Sequence, residues 1–221
     1  MRAAIGITLA LVTQLTAAAA DVSTAERKRI DEAAEVLKEI HNVPDKDIPQ
    51  DLWDKAKCVL VVPSLKKAAL VFGGEYGKGL MSCRNAGAWS APIFMQVGKG
   101  SWGLQFGAQA IDLVMLVMND RGMAKLLQDK VTLGAEASVA AGPVGRDARA
   151  ATDAQMKAEI LSYSRTQGVF AGVNVSGGVV KPDSDGNADL YGPGRTPHDI
   201  LADGTAPGAV KPFLQALQRG K

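Results

Sequence analysis

Between residues 98 and 119 the hydrophobic rhythm of the chain changes. Trp102, Leu104 and Phe106 alternate with small or polar residues, and from 111 to 118 nearly every position is apolar. The first pattern predicts a strand with one buried face; the second predicts a strand buried on both faces. Ala108, Gln109 and Ala110 join them, and Asp112 is the only charge in the apolar run. The rest of the core is expected to assemble around this pair.

The flanking patterns predict further elements. Ser23-Thr24-Ala25-Glu26 has capping-box spacing, and Ile30, Ala33, Ala34, Leu37 and Ile40 follow with helical periodicity. Asp47 is positioned to cap a short helix carrying Leu52, Trp53 and Ala56. A buried strand over 58–62 is expected to close at Pro63, with a turn at Lys66-Lys67 and a return over 68–72. Gly73-Gly74 breaks the run, and Gly77-Lys78-Gly79 turns into a strand over 80–83. Pro92 marks an edge, a strand start or a bulge before Ile93, Phe94 and Met95. Met123, Leu126 and Leu127 lie on one face of a short helix. Strands are expected over 131–141, 156–165 and 168–180, and a polar loop over 183–189. Thr196-Pro197 starts a helical turn, and Val210, Phe213, Leu214 and Leu217 mark a final amphipathic helix. The predicted class is α+β: an antiparallel, strongly twisted or barrel-like β-sheet flanked by N- and C-terminal helices.

The N-terminus changes the picture of compartment. Arg2, a short apolar stretch over 5–15 and Ala18-Ala19-Ala20 form the pattern of a cleaved signal sequence over 1–20. That leaves one domain over 21–221 and a periplasmic or secreted product. The formal charge of +2 then falls to +1, which offers no global attraction to nucleic acid. Cys58 and Cys83 are the two cysteines. An oxidising compartment favours a disulfide between them. A three-strand meander would instead put them at opposite ends of the sheet, too far apart to bond. Both readings stand at this point.

Candidate chemistry is sparse. Gly98-Lys99-Gly100-Ser101-Trp102-Gly103 matches G-x-G-x-x-G, but a strand pattern follows where a phosphate-binding helix is required. His41 and His198, the only histidines, have no Ser or Cys at useful spacing, and no G-x-S-x-G occurs. The chain is read as a non-enzyme without cofactors; a hydrolase assembled through space is the remote alternative. Asp183, Asp185, Asn187 and Asp189 place oxygens around Gly186 as a Ca²⁺ loop would. The bidentate Glu of such loops is missing, with Gly194 in its register, so a polar hairpin loop is preferred. Asp112 must be paired, hydrogen-bonded or protonated, and Arg146 is the candidate partner. Lys66, Lys67, Lys78, Arg84 and Lys99 fall at expected turns and are candidates for a basic rim that binds lipid phosphate. The polar face of the first helix mixes Arg27, Lys28 and Lys38 with Asp31, Glu32, Glu35 and Glu39, the pattern of a solvated face rather than a membrane-surface one.

Several separated motifs occur in order: Trp89-Ser90-Ala91-Pro92, Asp112-Leu113-Val114-Met115, Leu133-Gly134, Ala141-Gly142-Pro143-Val144-Gly145-Arg146, Tyr163-Ser164-Arg165-Thr166-Gln167-Gly168-Val169-Phe170-Ala171-Gly172 and Tyr191-Gly192. Over about 33–192 the chain resembles the SYLF domain family. That family includes eukaryotic phosphoinositide-binding proteins, yeast actin-patch proteins and secreted bacterial proteins grouped with them as lipid-binding. The resemblance implies a lipid- or membrane-associated binding module whose partner is a phospholipid surface. A cell-envelope protein-interaction module is the alternative.

Overall fold

The computed structural model describes residues 22–40, 48–68, 72–85, 87–102, 110–145, 157–166 and 169–218. The expected signal sequence lies outside them. In chain order the elements are helices α1 (Thr24–Ile40) and α2 (Gln50–Lys55), then strands β1 (Cys58–Ala68), β2 (Phe72–Asn85), β3 (Ala88–Trp89), β4 (Ile93–Trp102) and β5 (Ala110–Val117). Helix α3 (Asp120–Leu126) precedes strands β6 (Val131–Thr132), β7 (Val139–Ala141), β8 (Ile160–Thr166), β9 (Val169–Gly172) and β10 (Val179–Pro182). Helices α4 (Ser184–Tyr191), α5 (Pro197–Asp203) and α6 (Lys211–Gln218) end the described chain.

Eight strands lie in the order β6-β10-β4-β2-β1-β5-β8-β7, with β3 beside β2 and β9 beside β8. All pairs are antiparallel except β7 with β8. The two ends of this order are neighbours in the chain: only residues 133–138 separate β6 from β7. Eight flat strands would span roughly 34 Å at ~4.8 Å per gap. Residues 132–139 cover at most about 25 Å fully extended, and they are turned rather than extended. The sheet must therefore curl, and it forms a half-barrel of mixed strand direction.

Alternation along the strands feeds two cores. On one face Val59, Val61, Leu80, Phe94, Val114, Leu116, Leu161 and Tyr163 pack with α1, α2 and α6. On the other, Leu60, Val62, Met81, Ile93, Met95, Leu113, Met115 and Val117 pack with Leu126 of α3 and Ile200 and Leu201 of α5. Strand β5 is thus apolar on both sides because each side has a core to fill. Helix α1 begins with its capping box formed: the Glu26 amide donates to Ser23 Oγ and the Ser23 amide to Glu26 Oε2. It buries Ile30, Val36, Leu37 and Ile40. At about 1.5–3 kcal/mol for each large aliphatic, uncovering these four would cost roughly 6–12 kcal/mol. The apolar face of α1 is therefore committed to the protein interior.

Several expected boundaries differ, and some of the differences have an assignable cause. Pro63 does not close β1; the strand runs on to Ala68 through a bulge at which both of its pairings shift register. A proline in a central strand cannot donate to the ladder, and the bulge absorbs it. Ser64 in that bulge takes φ 51°. The Gly73-Gly74 break and the Gly77-Lys78-Gly79 turn are not turns, because these residues lie within β2. Gly77 and Gly79 are small because the neighbouring bulged strand presses on them. A Cβ on Gly79 would lie 2.0 Å from Val61 O, and one on Gly77 2.6 Å from Val62 Cγ1. The strand expected over 131–141 is split into β6 and β7 by a turn with Gly134 at φ +83°, and that over 168–180 into β9 and β10. The polar loop over 183–189 is instead the start of α4.

Candidate functional site

The bulge explains Asp112. Its Oδ1 accepts the Ser64 amide at 2.9 Å, the donor that the bulge turned away from the ladder. Its Oδ2 accepts Arg165 Nε at 2.7 Å from the register-matched position on β8. The same guanidinium reaches Glu39 of α1 in an ion pair. Burial pushes the Asp112 carboxyl above its ordinary value, while the Ser64 amide pulls it down. The acid thus ties β1, β5, β8 and α1 together. The partner expected from sequence, Arg146, lies outside the described residues, and the structure supplies Arg165 instead. No sequence signal separates the two arginines, because the choice depends on strand register.

The motifs that carry the resemblance also have structural work. A Cβ on Gly142 would fall 2.0 Å from the Tyr163 ring, and one on Gly172 2.1 Å from Gly142 O. These two motifs meet at one crowded point on β8. Ser90 Oγ accepts the Cys83 amide at 3.1 Å, and Tyr191 Oη donates to Pro92 O. The motif residues described so far hold the architecture.

The basic residues expected to share a rim are spread along strands. Lys66 is exposed on β1 opposite Tyr76. Lys67 and Lys99 both pair with Glu75 in register. Lys78, in mid-strand, forms an ion pair of 2.7 Å with Asp183. Arg84 stands eight residues beyond Tyr76, roughly 26 Å along the strand. Its guanidinium lies 4.2 Å from the Trp89 ring centroid and donates to Ala56 O and Trp53 O. Lys66, Lys67 and Lys99 share one end of the sheet, whereas Lys78 and Arg84 are held by internal partners elsewhere.

Asp183 and Asn187 are buried and occupied by the protein itself. Asp183 Oδ1 accepts Gln96 Nε2 at 2.7 Å. The Asn187 side chain pairs with both backbone groups of Phe94, accepting its amide at 2.7 Å and donating to its carbonyl at 3.0 Å. It thereby extends the β4 ladder where β10 stops. Asp185 and Asp189 point to solvent on α4. Among the described residues no group of three or more His, Cys, Asp or Glu is arranged to hold a metal ion. His198 is exposed on α5, and His41 lies outside the described residues.

Cys58 and Cys83 are bonded. They are direct partners in the β1–β2 register. The meander argument against the bond fails because β2 is one long strand that returns past the start of β1.

Two clefts that no motif announced open where α2, the end of β5, α3 and the start of β8 meet. One, of about 540 Å³, is lined by Leu52, Lys55, Met118, Lys157, Ala158 and Leu161. The other, of about 650 Å³, is lined by Arg121, Lys125, Glu136, Lys157 and Glu159, among others. Asn119 and Lys157 line both. Beneath them Glu159 is buried and accepts Lys125 Nζ at 2.9 Å on each oxygen and the Ser138 amide at 2.8 Å. Burial pushes this carboxyl up, but the ammonium and the amide outweigh it and hold it below the ordinary value. No described helix is long and apolar enough to cross a membrane.

Fold and surface define the class: an α+β module built on a curled sheet packed on both faces, with open clefts at its margin. A family model described as Ysc84, Las17-binding protein actin regulator, matches residues 98–220, more than half of the chain. The chain belongs to this family. It is 35% identical over 175 residues to an SH3 domain-containing protein of Schizosaccharomyces pombe, covering 77% of this chain and 40% of that one. LAS seventeen-binding protein 3 of Saccharomyces cerevisiae is 33% identical over 180 residues, 79% of this chain and 39% of its own. The human SH3 domain-containing YSC84-like protein 1 is 30% identical over 176 residues, 76% of this chain and 51% of its own. The chain therefore spans about half or less of each relative named. One of these names describes a binding protein, and the family description names an actin regulator.

Proposed function

We propose that this chain is a secreted, non-enzymatic binding module that associates with anionic phospholipid surfaces through its exterior. The observation that carries this reading is the filled interior among the described residues. Side chains from both faces of the sheet are fully buried against helices, with Leu60, Val61, Val114 and Met115 all at 0% exposure. A lipid carrier needs an enclosed apolar cavity; a module packed in this way binds at its surface. The N-terminal pattern and the Cys58–Cys83 bond support export to an oxidising compartment.

Flotation with phosphatidylcholine vesicles, with and without phosphatidylglycerol, tests the reading. Co-flotation with the anionic vesicles that weakens as salt rises is expected. Equal flotation with both, or none with either, would contradict it. A second reading, a module that binds protein partners, is favoured by the Las17-binding description of the family. A purified partner that binds the folded chain while anionic vesicles do not would select it.

A further inference from the structure

One end of the sheet stands beyond its neighbours. Strand β10 begins at Val179, opposite Gly98, but β4 runs on to Trp102, opposite Phe72. At ~3.3 Å per residue the β2–β4 ladder projects roughly 13 Å past β10. Beside it β1 ends at Ala68, opposite Gly74, and β5 begins at Ala110, opposite Lys66. Thr166 ends β8 one residue past Arg165, which faces Asp112, so Val169 of β9, paired with Thr166, stands at this end too.

Two independent features coincide there. Among the described residues the large hydrophobic side chains left exposed are Tyr76 and Val169, at 50% and 44%, and both are at this end. Tyr76 has Gly98 opposite it on β4, so no side chain on that strand shields the ring. The second feature is the arrangement of charge. No charged residue occurs over 68–74, 100–111 or 166–172. Directly behind these stretches come Lys66, Lys67 and Lys99 against Glu75 alone, an excess of two positive charges. Neither Lys66 nor Lys99 has an ion-pair partner among the described residues. The charges one step farther in, Asp112 with Arg165 and Lys78 with Asp183, neutralise each other. Exposed apolar groups on an uncharged end, with cations set behind them, match the layers of an anionic bilayer. The flat face of an acidic protein would be met by lysines spread across the contact instead.

We propose that this end of the sheet is where the protein meets an anionic bilayer: Tyr76 and Val169 sit at headgroup depth, and Lys66 and Lys99 bind the phosphates. The proposal rests on the lipid reading above and gives it a location. Helix α1 stays in place, because the contact makes no use of its buried face.

The test measures flotation with phosphatidylcholine vesicles, with and without phosphatidylglycerol, for the wild type and three variants, each first checked for an unchanged melting profile. Lys66→Gln/Lys99→Gln is expected to bind anionic vesicles roughly thirtyfold more weakly, the loss of two cations near the surface. Tyr76→Ser/Val169→Ser, which removes the exposed apolar groups, is expected to weaken binding at least about fivefold. Arg121→Gln/Lys157→Gln removes the same charge at the opposite end of the sheet and should stay within about threefold of wild type. A Lys66/Lys99 variant that binds like the wild type, or an equal loss in the Arg121/Lys157 variant, would overturn the location and leave the lipid reading standing. A wild type that ignores anionic vesicles would overturn both.

Discussion

Cys58 and Cys83 join β1 to β2 across 25 residues, so reducing that bond frees a loop of known length. In the chain-entropy treatment a loop of this size restricts the unfolded state by about 12 cal/mol/K, or about 3.5 kcal/mol at 25 °C. For a domain of this size each kcal/mol moves the melting temperature by about 2–4 °C, so reduction should lower it by about 7–14 °C. Both cysteines are buried, so a strong reductant must be added before unfolding and left to equilibrate. Calorimetry with and without a phosphine reductant measures the shift. Cys58→Ala/Cys83→Ala controls for reductant effects elsewhere: it should melt near the reduced wild type and ignore the reductant. Two free thiols per chain, titrated in denaturant without reductant, would refute the bond outright. Coincident oxidised and reduced melting curves would refute the energetic reasoning.

Gly79→Ala places a methyl carbon 2.0 Å from a backbone oxygen, and urea denaturation should show a loss of roughly 3 kcal/mol or more. Gly100→Ala, with nothing within 4 Å, should stay within about 0.5 kcal/mol, and similar losses for both would discredit the close-approach argument. Asn187→Ala takes the acceptor from the buried Phe94 amide, while the Phe94 carbonyl keeps the Asp183 amide, and should cost roughly 1–3 kcal/mol by the same measurement, whereas a neutral result would mean the side chain does not complete the ladder. Because the folded-state value of Glu159 is depressed, its contribution is fully present above the usual 4.5 and is lost as pH falls through the folded value. Melting temperatures from pH 7 to 3 should therefore show the gap between wild type and Glu159→Gln closing below 4.5, and a gap independent of pH would contradict this.

The periodic elements were legible from sequence. The capping box at Ser23, the apolar octet of β5 and the amphipathic α6 each announce themselves within one segment. The α+β class with a strongly twisted or barrel-like sheet followed from such segments. What was not legible traces largely to one long-range event. Pro63 forces a bulge in a central strand, and the bulge requires glycine at 77 and 79 on one side and a carboxylate at 112 on the other. Read locally, the same residues suggest a strand end, a turn and an isolated acid. Lys66, Lys67, Lys78, Arg84 and Lys99 fall at turns when read locally, whereas the structure places them within β1, β2 and β4. The cleft around Lys157 had no local signature, since only the three-dimensional packing joins α2, β5, α3 and β8.

Hydrogen exchange of the protein alone and bound to anionic vesicles tests the account most directly. If the interior is filled and binding happens at the projecting end of the sheet, new protection should appear at 72–76 and 98–102. The amides of α1 should meanwhile exchange as slowly as in the free protein, because its apolar face stays in the core. Faster exchange across 24–40 on binding, with 72–76 and 98–102 unchanged, would mean that the helix leaves the sheet to meet the bilayer, and the account would be wrong.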